Sequence, residues 1–150
     1  LKDIIKIINK YQVEKNRLVI ELTESGFVKS DEYFSRFCKK IKDRGILLAI
    51  DDFGTGYSNL MNISNLEPDI VKLDRGFTLK ALSRSYEYQL MQYVIEMVHK
   101  LNQYVCVEGV ETKEDLEKIK ALGPDLIQGY YYSKPCSRDE FLKKFFGYSE

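Results

Sequence analysis

The sequence predicts an α/β fold built on a parallel sheet with crossover helices, either doubly wound or closed as a (β/α)8 barrel. Three observations predict it. Short, continuous, β-branched runs recur along the chain, as strands buried on both faces do. Amphipathic stretches at helical spacing lie between them. The two kinds alternate from end to end, which is the pattern of strand–helix units joined by crossovers.

The elements follow in order. "LKDIIKIINKYQ" opens the chain as a helix already under way, and its interrupting charges are wrong for a signal peptide. "RLVIEL" (17–22) is the first strand. Residues 30–44 form a helix with Ser30 as N-cap and Gly45 as stop. "ILLAID" (46–51) and "DIVKLD" (69–74) are the second and third strands. Residues 86–102 form a helix with Leu90, Tyr93, Val94, Met97, Val98 and Leu101 at helical spacing. "YVCVEG" (104–109) is the fourth strand. A helix over 113–122 starts at Thr112, with Asp115 three positions on, and stops at Gly123. "DLIQG" (125–129) is the fifth strand. Residues 138–146 follow Ser137, with Glu140 completing a capping-box pattern. The order is a helix and then five successive strand–helix units.

Composition sets the class. The 150 residues suffice for one domain with a real core, and 44% hydrophobic with 31% charged residues is ordinary for a soluble globular protein. Net charge is zero and Lys and Arg are not clustered, which argues against a DNA- or RNA-binding groove and a polybasic membrane anchor. No apolar run approaches the roughly 20 residues that span a bilayer, so no membrane contact is expected of this segment. Cys38, Cys106 and Cys136 are odd in number and far apart, which fits a reducing, cytoplasmic compartment and not a disulfide framework. His99 has no metal-like spacing to any cysteine and reads as a plain helix residue. Tyr86, Tyr88 and Tyr93 read as packing or interface residues. "KKIKDR" (39–44) reads as a solvated, cationic helix end.

Strand parity locates the chemistry. Side chains alternate faces along a strand. One face carries Leu18 and Ile20, Leu48 and Ile50, Val71 and Leu73, Val105 and Val107, and Ile127, all apolar and suited to packing under helices. The other carries Val19 and Glu21; Leu47, Ala49 and Asp51; Ile70, Lys72 and Asp74; Cys106 and Glu108; Leu126 and Gln128. That face starts apolar and turns polar toward the C-terminal ends, which all lie on one side of a parallel sheet. Glu21, Asp51, Lys72, Glu108 and Gln128 should therefore converge at one mouth, where barrel enzymes keep their active sites. Several carboxylates cannot be buried together without cations, and one lysine is too few. Hard divalent metals, Mg²⁺ or Mn²⁺, and a phosphate substrate fit this set.

These residues fall in motifs: "ELTES" (21–25), "DDFGTGYSNL" (51–60), "DIVKLD" (69–74), "VEGVET" (107–112) and "QGYYYSKP" (128–135). In this order they resemble the signature of the EAL domain family, which hydrolyses cyclic di-GMP to linear pGpG with two divalent metals on a TIM-like (β/α)8 barrel. The resemblance runs from about residue 17 to 135. It implies that Glu21 and Asp51 are metal ligands, Asp51 able to bridge, and that Asp52 serves the second metal. It implies that Lys72 holds the attacking water and the scissile phosphate region. Glu108 would be general base or metal ligand, and Gln128 would line the metal-water and substrate site. Glu24 would hold the loop of Gly54, Thr55 and Gly56. Glu111 and Asp74 would support the site or contact substrate, with Tyr130 or Lys134 touching the nucleotide.

The chain also departs from the family pattern. No Glu-Ala-Leu tripeptide occurs, the expected Asn ligand is missing, and about three strand–helix units are absent. The expectation is an incomplete barrel of about five β/α units preceded by a helix, the C-terminal part of a domain. Such a chain should bind metal weakly and cleave cyclic di-GMP poorly. It should form a homo-oligomer, because two sheet edges lack partners and the inner face of the open sheet is exposed. GGDEF or sensory domains, some able to anchor the parent to a membrane, could precede it.

Two other readings of the loop fail. "DFG" (52–54) lacks the Gly-rich and His-Arg-Asp loops of a kinase. "GTGYSN" (54–59) lacks the third glycine of a dinucleotide fingerprint, and its acids precede the loop, where they would repel a pyrophosphate. The remaining rival is a non-catalytic cyclic di-GMP receptor or protein-interaction scaffold.

Overall fold

The computed structural model describes residues 2–23, 32–55 and 66–147. Its centre is a five-stranded sheet of β1 (Val19–Thr23), β2 (Leu47–Phe53), β3 (Ile70–Leu73), β4 (Tyr104–Val107) and β5 (Leu126–Ile127). The strands lie in the order β1-β2-β3-β4-β5 and every pairing is parallel. A doubly wound sheet reverses its strand order at a switch point. This one does not, so the arrangement is that of a barrel wall, here an incomplete one.

Among the described residues the helices are α1 (Lys2–Tyr11), α2 (Glu32–Lys42), α3 (Arg75–Ser83), α4 (Ser85–Lys100), α5 (Lys113–Lys120) and α6 (Arg138–Phe146). Two have complete capping boxes. Thr112 accepts from the Asp115 N–H and Asp115 accepts from the Thr112 N–H; Ser137 and Glu140 do the same. Ser30, the expected cap of α2, lies outside the described residues.

The apolar face of every strand packs under helices as its parity requires. Leu48, Val71, Leu73, Val105 and Val107 are fully buried with Ile41, Met91, Ile95, Val98 and Ile119. The opposite face holds a separate small cluster, Ala49, Ile70 and Cys106, at its centre. These three are buried, so the face is covered at its centre, while Val19, Tyr104 and Leu126 on the same face are exposed.

Several local expectations need correction. Residues 15–17 form a 3₁₀ turn, so β1 begins later than residue 17. Strands β3, β4 and β5 are shorter than the apolar runs that announced them, because each run includes residues that pair only through single flanking bonds, such as Glu108 N–H to Leu73 O. Helix α3 was not foreseen; its sequence RGFTLKALS has no clear apolar stripe, and burial of Phe77, Thr78 and Ala81 sustains it. In α4 the buried positions are Met91, Ile95 and Val98, whereas Leu90, Tyr93 and Leu101 face outward. The helix is apolar on two sides, and the spacing alone did not say which one the sheet would take. Tyr88 is half-buried, its hydroxyl donating to Lys118 O at 3.0 Å.

Candidate functional site

Register brings the polar strand ends together. Glu21 pairs across to Ala49, Ala49 to Ile70, and Lys72 to Cys106. Neighbours in register share a face, so these side chains line one surface. Lys72 rises from β3 in the middle of it. Its Nζ lies 2.9 Å from Glu21 Oε1, 2.9 Å from Asp51 Oδ1 and 2.8 Å from Glu108 Oε1. Three carboxylates from β1, β2 and the end of β4 thus meet on one ammonium. The Lys72 side chain is only 9% exposed, against 19% for Asp51 and 18% for Glu108, while Glu21 stays half-open at 48%.

Burial pushes the Lys72 amine down, but the adjoining carboxylates of Glu108, Asp51 and Glu21 outweigh it and hold the ammonium well above the ordinary lysine range. Cys106 lies beneath the cluster. Burial first, and then the Glu108 charge, push its thiol up to about 11, so it stays protonated and inert.

Asp51 and Asp52 reach the site together because β2 is bulged. The β2–β3 register shifts between Ile50 and Phe53, and Asp52 has φ +61°. A bulge adds a residue and re-aims its neighbours. Asp52 was expected just past the strand; it lies inside it, turned by the bulge. Its carboxyl is raised by burial and then by the charges of Asp51 and Asp74. A left-handed φ is unusual for a residue with a side chain, and aspartate is one of the few types that adopt it readily.

The remaining expected residues surround this centre. Asp74 caps α3, accepting from Gly76 N–H at 2.7 Å. Glu111 pairs with Arg75, whose Nη2 and Nε lie 2.8 and 3.2 Å from one carboxylate oxygen. Gln128 donates its backbone N–H to Val107 O and lines, with Glu108, Arg75, Glu111 and Tyr130, a cleft of about 440 Å³. The Lys134 ammonium stands 5.6 Å from the centre of the Tyr130 ring. Gly54, with φ +104°, lies against Phe77; an added Cβ would come 2.8 Å from that ring. Thr55 is exposed. Glu24 and Gly56 lie outside the described residues.

Arg75 escaped the sequence reading, since nothing marks it before α3 is known. Asp69 and Asp125 escaped it too, although a repeated Pro-Asp before a strand, at Pro68-Asp69 and Pro124-Asp125, was there to find.

The donor set suits a hard divalent cation in kind: every side chain is a carboxylate. Asp51 Oδ1 is buried and makes no well-formed hydrogen bond; it has only the Coulombic pull of Lys72 to compensate it. Such an oxygen is a natural place for a cation. As arranged around the ammonium, however, no group of three acidic, His or Cys side chains among the described residues is placed to hold a metal. Among those residues, too, no helix is long and apolar enough to cross a membrane.

Comparison with known proteins agrees with this geometry. The EAL domain model matches residues 1–135. The cyclic di-GMP phosphodiesterase PdeF of Escherichia coli K12 is 32% identical over 133 residues, 89% of this chain and 18% of that protein. The EAL enzyme Bd1971, solved with cAMP and cyclic-di-GMP bound, superimposes with TM-score 0.89 at 27% identity, covering 95% of this chain and 38% of the other. Klebsiella pneumoniae BlrP1, solved as a manganese/cy-diGMP complex, gives TM-score 0.82 at 28% identity, covering 89% and 34%. The chain spans about a sixth of the length of the curated relatives it matches first.

Proposed function

Because this chain belongs to the EAL domain family, we propose that the whole protein hydrolyses cyclic di-GMP to linear pGpG at the site around Lys72. The observation that carries this reading is the convergence of Glu21, Asp51 and Glu108 on one lysine at the C-terminal ends of a parallel sheet.

Glu21, Asp51, Asp52 and Glu108 would hold the divalent ions, Mg²⁺ or Mn²⁺, two per complete site. When bound, the ions supply a water of lowered pKa and neutralise phosphate charge. Glu108, at the end of β4 beside Lys72, accepts the proton of the attacking water. The water oxygen forms the new bond to phosphorus and the bond to the 3′ oxygen breaks; that oxygen leaves with a proton from solvent. Lys72 sets positive charge where the non-bridging phosphate oxygens gain negative charge. Tyr130 and Lys134, beside Gln128 at the rim, offer a ring face and a cation to a nucleotide. The α3 cap on Asp74 and the Arg75–Glu111 pair support the floor and one wall.

One observation favours a second reading, a receptor that binds cyclic di-GMP without cleaving it. Lys72 ties Glu21, Asp51 and Glu108 into one network of ion pairs, a ready-made polar floor for a bound ligand. A single experiment separates the two. The protein is incubated with cyclic di-GMP and Mn²⁺ or Mg²⁺, and pGpG is followed by chromatography. The first reading expects pGpG with metal and none with EDTA; tight binding with no pGpG overturns it in favour of the receptor.

Self-association belongs to the same proposal. Val19 on one border strand, and Leu126 with Phe141, Phe145 and Phe146 near the other, expose apolar surface that a second copy would cover.

A further inference from the structure

We propose that Lys72 is the resident counter-cation of the carboxylate cluster, that a divalent metal binds only by displacing its ammonium, and that Lys72 therefore sets the metal affinity of the site. The inference rests on the reading of these carboxylates as metal donors.

An ammonium has three N–H donors and no acceptor. Lys72 meets three carboxylates, at 2.9, 2.9 and 2.8 Å, from three different strand ends. Its side chain is 9% exposed, so these acids and not water balance its charge. The acids depend on Lys72 in turn. Removing one partner of a buried charge cluster leaves the others uncompensated, which is strongly destabilising. The metal-free fold can carry Glu21, Asp51 and Glu108 together because Lys72 stands between them.

The same position blocks a metal. A divalent ion seeks the oxygens that the ammonium holds, and two cations a few ångströms apart in a partly dry site repel strongly. In this arrangement, no group of three acidic, His or Cys side chains among the described residues is placed to hold a metal. Asp51 Oδ1 marks where exchange begins. It is buried and lacks a well-formed hydrogen bond, with the Lys72 ammonium 2.9 Å away. Lysine suits this exchange: its four-carbon stem is flexible and its head is a point charge, so Nζ can withdraw without moving β3.

The test is a Mn²⁺ titration of the chain at neutral pH, with free Mn²⁺ read from its electron paramagnetic resonance signal, for wild type and Lys72→Met. Methionine keeps the length and removes the charge. The variant should bind Mn²⁺ on the order of tenfold tighter, the scale of removing one nearby unit charge. Its metal-free melting temperature should fall below that of wild type, and saturating Mn²⁺ should raise it more than it raises wild type. Equal or weaker Mn²⁺ affinity in the variant, or no Mn²⁺ binding by either protein, overturns the inference. A second measurement needs no variant. In wild type, the ¹⁵Nζ signal of Lys72 should shift in step with Mg²⁺ addition; a signal unchanged up to millimolar Mg²⁺ overturns it as well. Failure to cleave cyclic di-GMP would sink the enzymatic reading and leave these two readouts standing.

Discussion

Asp69 and Asp125 hold matching positions: each follows a proline, opens a strand, and ties that strand to the one before it. Asp69 accepts from Leu48 N–H at 2.8 Å and Asp125 from Val105 N–H at 2.7 Å. Each returns its own N–H to the same residue's carbonyl, at 2.8 and 3.1 Å. These clamps secure the end of the sheet opposite the carboxylate cluster. Asp69→Ala and Asp125→Ala should each cost about 1–3 kcal/mol in urea unfolding, since each strands a part-buried donor. A loss within error for both would show that the clamps carry no stability.

Asp125 also predicts an acid response. Burial raises its carboxyl, but the Val105 N–H and His99, whose Nε2 lies 2.9 Å away, outweigh it and hold the group below the usual aspartate range. A depressed carboxyl contributes stability in full above about pH 4, its unfolded value, and loses it as pH falls through the folded one. Wild type should therefore lose more stability than Asp125→Asn on acidification below about pH 4. Parallel curves would contradict this.

The bulge makes a prediction at Asp52. Its φ of +61° suits Asn or Gly and strains a β-branched residue. Asp52→Asn should fold and, because the folded carboxyl is raised, should melt higher than wild type near neutral pH without metal. Asp52→Val should melt lower, by about 1–3 kcal/mol in stability. The reverse order would sink the argument.

Gly109 is a test of close approach. It has φ +79°, and an added Cβ would fall 2.3 Å from Arg75 Cγ. Gly109→Ala should destabilise by about 2 kcal/mol or more and loosen the turn that presents Glu108. Near-wild-type melting would mean that Arg75 moves aside freely.

If the site is hydrolytic, Glu108→Gln should lower kcat for cyclic di-GMP by about 10²–10⁴-fold, the usual worth of a positioned base, with KM little changed. The control is chromatographic detection of pGpG; a drop confined to KM would reassign Glu108 to binding.

Much of this was written in residue type and spacing. Alternation of β-branched runs with amphipathic ones determined a parallel α/β sheet, and period-two parity determined that Glu21, Asp51, Lys72, Glu108 and Gln128 share its inner face. Both follow from local geometry, which a sequence carries in full. Tertiary structure alone decided the rest. Sequential strand order chose a barrel wall over a doubly wound sheet, and the bulge at Asp52 turned two adjacent acids toward one centre. Burial made a helix of 75–83, and the sheet selected Met91, Ile95 and Val98 as the inward side of α4. The three ion pairs of Lys72 depend on residues up to 51 positions apart in sequence. Their distances arise from how strands pack and side chains compete for oxygen, and no short window of sequence records that competition.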